Sequence, residues 1–206
     1  AGYNLAQPAA RLLVQHEVFD QIQQAGWRTG AAQQRLQRDD ARFPLLMIKD
    51  IDEDGRVDIL LALKTQDEFN EGRLIRFNDR GKPLWEFPAG RELQFGGVVY
   101  ARDYRIQGFD LHDFDGDGRP EIFLIAYHKP DFPCQLAVLS LAGELVGEYW
   151  NAGFFSDVAF SDLDRDGREE VLAAGINNEY GKGCLVVFNP GRIAGSSPQR
   201  QGSFIC

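Results

Sequence analysis

An acidic nine-residue pattern, D-x-D-x-D-G-x-x-[DE], occurs three times in this chain of 206 residues. The copies cover residues 50–58, 113–121 and 162–170 and are called loops 1, 2 and 3 below. One copy could arise as an acidic surface turn held by Asx-type hydrogen bonds and no metal. Three copies with identical internal spacing make chance a poor explanation and indicate a chain built from repeats.

The residue types in the loop are those that bind a hard cation. Calcium takes six to eight oxygen ligands, and carboxylates at positions 1, 3 and 5 converge if the chain curls tightly around a glycine at position 6. The carbonyl of position 7 and the acid at position 9 complete the shell. The sequence therefore predicts up to three Ca²⁺ ions. The predicted ligands are Asp50, Asp52, Asp54, Arg56 and Asp58 in loop 1, Asp113, Asp115, Asp117, Arg119 and Glu121 in loop 2, and Asp162, Asp164, Asp166, Arg168 and Glu170 in loop 3.

The helix–loop–helix calcium site is the obvious competitor, and the sequence does not fit it. That site needs a glutamate at position 12, where this chain has Leu61, Leu124 and Ala173. Short apolar runs of strand length flank each loop, such as 59–63 after loop 1 and 122–126 after loop 2. Each loop is therefore predicted to join two β-strands.

The spacing of the loops predicts the fold class. The copies start 63 and 49 residues apart, near the ~40–50-residue period of propeller blades. Each unit has four candidate strands, except that the outer strand of the third unit is not evident. We expect an all-β chain with about three four-stranded antiparallel blades, forming a partial or small β-propeller. Because propellers generally close with four to eight blades, three blades would leave an open sheet edge.

The predicted organisation has three parts. Residues 1–42 form an N-terminal arm or linker, in which 9–24 favours a helix, although the run 12–14 could also be a strand. Residues 43–190 hold the three repeats, at about 43–90, 91–150 and 151–190. Residues 191–206 are rich in Gly, Ser and Pro at their start and are predicted to be coil.

The loops and the phrases around them resemble a known group. The sequence of 162–167 followed by that of 171–175 is similar to FG-GAP/VCBS-type repeats, the calcium-loop blades of integrin-α-like β-propellers. The resemblance covers roughly 43–190, while the Phe-Gly/Gly-Ala-Pro signature itself is absent or degenerate. It implies four-stranded blades with an ion between the first two strands of each. It also implies ligand binding on a face made by inter-strand loops, often away from the ions.

Charge and hydropathy narrow the partners and the compartment. The formal net charge is −9, and nearly half of the 31 acidic residues lie in the three loops. This balance argues against nucleic acid as a partner. No apolar run approaches the ~20 residues of a membrane span, and no signal peptide is visible. Calcium loops of modest affinity fill where calcium is millimolar, which favours an extracytoplasmic location: periplasmic, secreted or cell surface.

The cysteines and aromatic pairs are expected to be structural. Cys134 and Cys184 are predicted to be free, half-buried thiols, because equivalent points on neighbouring repeats are too far apart for a bridge. Two recurring aromatic pairs near the fourth strands are predicted to pack between sheets. They are Trp85 with Phe87 and Tyr149 with Trp150.

A search for catalytic motifs is negative. There is no nucleophile elbow, P-loop, dinucleotide fingerprint or zinc spacing. Of the three histidines, His112 abuts loop 2 and is predicted to have a structural role. Acidic residues outside the loops are predicted to be solvated surface groups; they include Glu86, Glu92, Asp103, Glu144, Glu148, Asp157 and Glu179.

Two non-enzymatic functions and one enzymatic function remain, and the chain is not expected to be an enzyme. The first is a calcium-stabilised binding or adhesion module that recognises a protein or a glycan. The second is a structural subunit of a larger extracytoplasmic or membrane-associated complex, suggested by the incomplete ring. The third is a polysaccharide-active enzyme, which would need paired carboxylates or a His/Tyr pair in a cleft.

Overall fold

The computed structural model describes residues 44–64, 72–95, 97–128, 132–189 and 191–198. These residues form β-strands and turns, without a helix, which confirms the all-β prediction. The helix predicted over 9–24 lies outside the described residues. The strands are β1 Leu46–Lys49, β2 Asp58–Lys64, β3 Gly72–Phe77, β4 Pro83–Pro88, β5 Leu93–Phe95, β6 Val98–Tyr100, β7 Tyr104–His112, β8 Glu121–His128, β9 Cys134–Leu139, β10 Leu145–Asn151, β11 Gly153–Ser161, β12 Glu170–Asn177, β13 Lys182–Phe188 and β14 Ala194–Ser196.

Sheet 1 is the four-stranded antiparallel unit that the sequence predicts. Its strands lie in the order β1-β2-β3-β4. The turn between β3 and β4 is set locally, because the side-chain oxygen of Asn78 accepts the backbone N–H groups of Arg80 and Lys82 at 3.0 and 2.9 Å. Gly81 completes this turn with a φ of 75°, a conformation that glycine adopts without steric cost. Polar turn residues between apolar runs therefore determine the meander.

Sheet 2 repeats this meander and gains a fifth strand. Strands β7, β8, β9 and β10 pair antiparallel in sequence order, and β14 pairs parallel with the free edge of β10. Residues 194–196, predicted to be coil, therefore form a strand instead. Ser197 anchors the segment, because its backbone N–H donates to the Trp150 carbonyl at 2.8 Å. The segment covers an edge that would otherwise expose unpaired backbone groups.

Sheet 3 departs from the predicted four-stranded blade. It has three strands, β11, β12 and β13, within the described residues. The C-terminal segment that follows β13 supplies β14 to sheet 2 and not to sheet 3. A separate two-stranded hairpin, β5 with β6, lies between sheets 1 and 2 in the chain and was not predicted.

Among the described residues, sheet 2 packs against sheets 1 and 3 through two apolar cores, one on each of its faces. One core joins sheet 1 to sheet 2 and includes Leu60, Leu74 and Phe109. The other joins sheet 2 to sheet 3 and includes Phe123 and Phe155. Alternate residues of the central strands enter opposite cores, as the two-residue period of a strand requires. Sheet 2 is therefore covered by an apolar neighbour on both faces.

Each repeat can be numbered from the first Asp of its loop, which is position 1. Residues with the same position number then point to the same face of their sheets. Position 13 is paired with a leucine on the third strand of every sheet: Ala62 with Leu74, Ile125 with Leu136, and Ala174 with Leu185. Leu74 and Leu136 are fully buried, whereas Leu185 is 62% exposed. In sheet 2 this face packs against sheet 3. The equivalent face of sheet 3 is exposed. We call this surface, which includes Ile176, Leu185 and Val187, the outer face of sheet 3.

The structural roles predicted for the aromatic pairs are confirmed. Trp85 and Phe87 pack against the core between sheets 1 and 2, and the Trp85 indole N–H donates to the Leu141 carbonyl at 2.9 Å. Tyr149 and Trp150 are neighbours on one strand, so they point into different cores. These contacts join one sheet to the next.

The two thiols in the described residues are unbridged, as predicted. Cys134 is fully buried and not half-buried, and burial raises the pKa of its thiol to about 12. Cys184 is partly buried, and burial raises the pKa of its thiol as well. Both therefore act as small apolar side chains of the core.

Candidate metal centres

Each acidic loop connects the first strand of a sheet to the second. Loop 1 follows β1, loop 2 follows β7 and loop 3 follows β11. Glycine at position 6 has φ between 84° and 90° in all three loops (Gly55, Gly118, Gly167). A Cβ at any of these glycines would meet no atom within 4 Å. Glycine is therefore required by its backbone conformation and not by crowding.

Position 4 is a second left-handed point that the sequence pattern did not reveal. Gly116 occupies it in loop 2 with φ 79°, while Glu53 and Arg165 occupy it in loops 1 and 3 with φ 59° and 65°. For a non-glycine residue this left-handed conformation is sterically unfavourable. Two left-handed residues separated by one other residue curl the chain tightly enough to turn its carboxylates inward.

Backbone amides hold the inward carboxylates in the same way in every copy. The amide of the position 6 glycine donates to the position 1 carboxylate at 3.0 Å in all three loops (Gly55 to Asp50, Gly118 to Asp113, Gly167 to Asp162). The acid at position 9 accepts the amide of position 2 across the loop. The distance is 2.8 Å for Glu121 and for Glu170, and 3.4 Å for the shorter Asp58. The backbone of the loop itself thus holds the carboxylates of positions 1 and 9 in place.

Positions 1, 3 and 9 converge in each loop. One carboxylate oxygen from each of these residues lies within 4.8 Å of the other two (Asp50, Asp52 and Asp58; Asp113, Asp115 and Glu121; Asp162, Asp164 and Glu170). Oxygens that share a calcium ion at about 2.3–2.6 Å are separated by no more than about 5.2 Å. The three groups have the donor type and the spacing that a calcium ion requires.

Position 5 lies outside these groups. Its carboxylate accepts the amide of position 7 at 2.8 Å in every loop (Asp54, Asp117, Asp166). The roles of these aspartates, and of the position 7 carbonyls of Arg56, Arg119 and Arg168, as metal ligands stay predictions.

One observation in loop 1 and one in loop 2 fit a bound cation. Burial raises the pKa of Glu121, and the nearby carboxylates of loop 2 raise it further, although the Phe114 amide opposes them. In loop 1, Asp50 Oδ1 is buried and has no hydrogen-bond partner. Both observations are typical of a site where a positive charge belongs.

Loops 2 and 3 are connected by the side chain of His112, which lies next to Asp113, a candidate metal ligand. The His112 ring stacks on Phe160 with centroids 3.7 Å apart, and its Nε2 lies 3.1 Å from a carboxylate oxygen of Glu169. A cavity of about 420 Å³ lies beside them, lined by residues of both loops and by Lys49. His112 therefore connects two candidate sites, which agrees with its predicted structural role.

Two of the acidic residues outside the loops are held in ion pairs. Glu86 pairs with Arg73, and Glu148 pairs with Arg91 at 2.8 Å. Burial opposes ionisation of Glu148, but its hydrogen bonds to Arg91 and Gln135 hold its pKa below the usual value. Across the described residues, the three loops are the only groups of three or more His, Cys, Asp or Glu side chains with metal-binding spacing.

The fold and these sites define a class: an all-β repeat protein with an acidic, oxygen-lined turn between the first two strands of each sheet. Comparison with protein families matches residues 50–124 to the FG-GAP-like repeat. This match confirms the resemblance noted in the sequence, and the chain carries an FG-GAP-type repeat that spans loops 1 and 2. No curated protein gives a match to the chain.

The repeat match indicates the general kind of module in which such repeats occur. FG-GAP repeats are typical of β-propeller-like modules for binding and adhesion; they are typically non-enzymatic and commonly extracellular. The described residues also contain no helix with the length and apolarity to cross a membrane.

Proposed function

We propose that this chain is a calcium-stabilised, propeller-like module that binds a protein or a glycan outside the cytoplasm. The observation that carries this proposal is the same convergence of three carboxylates at the same place in three successive sheets. Chance acidic turns would not repeat the hydrogen bonds from position 6 to position 1 and from position 2 to position 9. The arrangement suits a structural role, because each group of carboxylates lies between the ends of two neighbouring strands.

The ions act as cross-links between the first two strands of each sheet. Position 1 follows the first strand directly, and position 9 is the first residue of the second. An ion shared by these positions fixes the strand ends and removes the repulsion among the carboxylates. Up to three Ca²⁺ ions would be bound in this way.

Calcium titration by calorimetry tests the metal part, with Glu121→Gln as the informative variant. Glutamine keeps the size of the side chain and can still accept the Phe114 amide, but it loses the charge that a cation needs. We expect the variant to lose one calcium site relative to the wild type. The matched control is Glu144→Gln, which changes an exposed glutamate outside the loops and should leave the titration unchanged. A wild-type chain that takes up no calcium would refute the proposal.

The recognition surface lies at the strand ends opposite the loops. Strand β8 starts beside loop 2 and ends at His128, whose ring lies 5.3 Å from that of Tyr100. Tyr100 also lies 5.3 Å from Phe132, and all three rings are partly exposed. Partly exposed aromatic rings suit the apolar faces of a sugar, or a protein surface.

Binding to a glycan array, with wild type and Tyr100→Ala compared, tests this surface. We expect the glycans that the wild type retains to be lost by the variant, because the central ring of the group is removed. Retention of the same glycans by the variant would contradict this placement. If the wild type binds no glycan, the glycan part of the proposal is wrong and the ligand is a protein.

A second function, a structural subunit of a larger assembly, is favoured by the outer face of sheet 3. Ile176, Leu185 and Val187 are 52%, 62% and 47% exposed there, and the equivalent face of sheet 2 is covered by sheet 3. A partner subunit that presents an apolar sheet of its own would cover it in the same way. A strictly monomeric chain at all concentrations, measured by light scattering, would count against this function.

A further inference from the structure

Loop 1 differs from loops 2 and 3 because a buried arginine reaches its carboxylates. Arg76 Nε donates to Asp58 Oδ1 at 2.9 Å, and its Nη2 donates to Asp52 Oδ2 at 2.5 Å. Its Nη1 donates to the Leu141 carbonyl of sheet 2 at 3.0 Å. The Arg76 side chain is only 9% exposed. The guanidinium thus bonds to two of the three converging residues of loop 1.

The strand register explains why only loop 1 has this contact. Arg76 pairs with Leu60, which is position 11 of its repeat. The residues that pair with position 11 in the other sheets are Val138 and Val187. Among the described residues, no lysine or arginine forms an ion pair with a position 1, 3 or 9 carboxylate of loop 2 or loop 3. A valine at this position leaves those carboxylates for a metal ion.

The number of position 9 carboxylate oxygens left for an ion is also smaller in loop 1 than in loops 2 and 3. In loops 2 and 3, the glutamate at position 9 uses Oε2 for the position 2 amide, and its other oxygen is available to an ion. In loop 1, Asp58 uses one oxygen for the Ile51 amide and the other for Arg76. Asp50 Oδ1 nevertheless remains buried and without a hydrogen-bond partner. Arg76 therefore satisfies part of loop 1 and leaves room for a weakly held cation.

The charge of Arg76 is permanent. A guanidinium remains protonated in proteins, and this one bonds to the carboxylates of Asp52 and Asp58. A divalent ion that enters loop 1 must displace this group from Asp52 or remain a few ångströms from it. Displacement breaks the hydrogen bond between Arg76 and Asp52. If Arg76 stays, the two positive charges repel each other strongly in a partly buried site. Either event costs free energy.

We propose that Arg76 is a built-in counter-ion of loop 1, so that loop 1 keeps its fold without calcium and binds calcium more weakly than loops 2 and 3. This inference rests on the proposed calcium binding of the other two loops. It divides the three similar sequence motifs into one site held largely by an arginine and two sites that depend on a metal.

Calcium titration of a chain in which loop 1 alone is intact tests the weaker affinity. The background variant carries Glu121→Gln and Glu170→Gln, which disable loops 2 and 3. In this background we expect Arg76→Met to tighten calcium binding at least tenfold. Arg73→Met is the matched control, because Arg73 lies on the same strand but pairs with Glu86, and it should not change the affinity. Unchanged affinity after Arg76→Met would overturn the inference.

Hydrogen exchange of the wild-type chain provides a test that does not depend on the folding of a variant. After removal of calcium with EGTA, we expect faster exchange in peptides that contain loops 2 and 3, and unchanged exchange in the peptide that contains loop 1. Equal acceleration in all three loops would overturn the role of Arg76. If calcium neither binds to the wild type nor changes exchange in loops 2 and 3, the proposed calcium function itself fails.

Discussion

Removal of calcium with EGTA should lower the melting temperature of this chain by at least about 10 °C. A site occupied at a ligand concentration of about 100 times its Kd adds about 2.7 kcal/mol to the free energy of unfolding. For a protein of this size, 1 kcal/mol corresponds to about 2–4 °C in melting temperature. Two metal-dependent loops therefore account for the expected shift, even if loop 1 contributes little.

The physical reason is that the loops place like charges together before an ion arrives. In loop 2, the oxygens of Asp113, Asp115 and Glu121 lie within 4.8 Å of one another. Their repulsion opposes folding unless a cation or protons neutralise them. Since the unfolded chain separates these carboxylates, calcium binds the folded state far more strongly and stabilises it by mass action.

Differential scanning calorimetry with three additions gives the controls. Excess calcium after EGTA should restore the original melting temperature. Magnesium should restore much less, because it demands near-ideal octahedral geometry and keeps several of its waters. A melting temperature that EGTA leaves unchanged would mean that the acidic loops are metal-free turns.

Much of the fold could be predicted from the sequence because its determinants are local. Polar turns such as 78–82 and the three acidic loops lie between apolar runs of strand length, and the chain can satisfy these signals without distant contacts. The two strands that follow each loop, for example β8 at Glu121–His128 after loop 2, follow directly from this pattern. The glycine at position 6 likewise predicts the sharp turn of every loop.

The features that sequence reasoning missed depend on distant parts of the chain. Strand β14 is a short Ala-Gly-Ser segment without strand propensity, and it forms because the edge of β10 offers free backbone groups. Arg76 lies 18 residues after Asp58 in the sequence, and only the pairing of β3 with β2 brings it to loop 1. If the third strands of the three repeats are aligned, Arg76 stands at a position that valine occupies in the other two repeats (Val138 and Val187).

The position of sheet 3 at the end of the stack leads to a second prediction with a large effect. Leu136→Ala should lower the free energy of unfolding by about 2–5 kcal/mol, because it removes a fully buried side chain between sheets 2 and 3. Urea denaturation of the variant and the wild type, both in excess calcium, measures this difference. Excess calcium keeps the loops in the same calcium-bound state in both proteins, so that the difference in free energy reports the loss of the Leu136 side chain.

Leu185→Ala is the matched control, since Leu185 holds the equivalent position in sheet 3 and pairs with position 13 of its repeat, as Leu136 does. Leu185 is 62% exposed, so its loss should change the free energy of unfolding by less than about 0.5 kcal/mol. A small effect for Leu136 would contradict the packing of sheet 2 on sheet 3. A cost for Leu185 close to that for Leu136 would mean that another apolar surface covers the outer face of sheet 3 in solution. Light scattering of the wild type and Leu185→Lys would then show whether that surface belongs to a second copy, because the charged side chain should convert such an assembly to monomers.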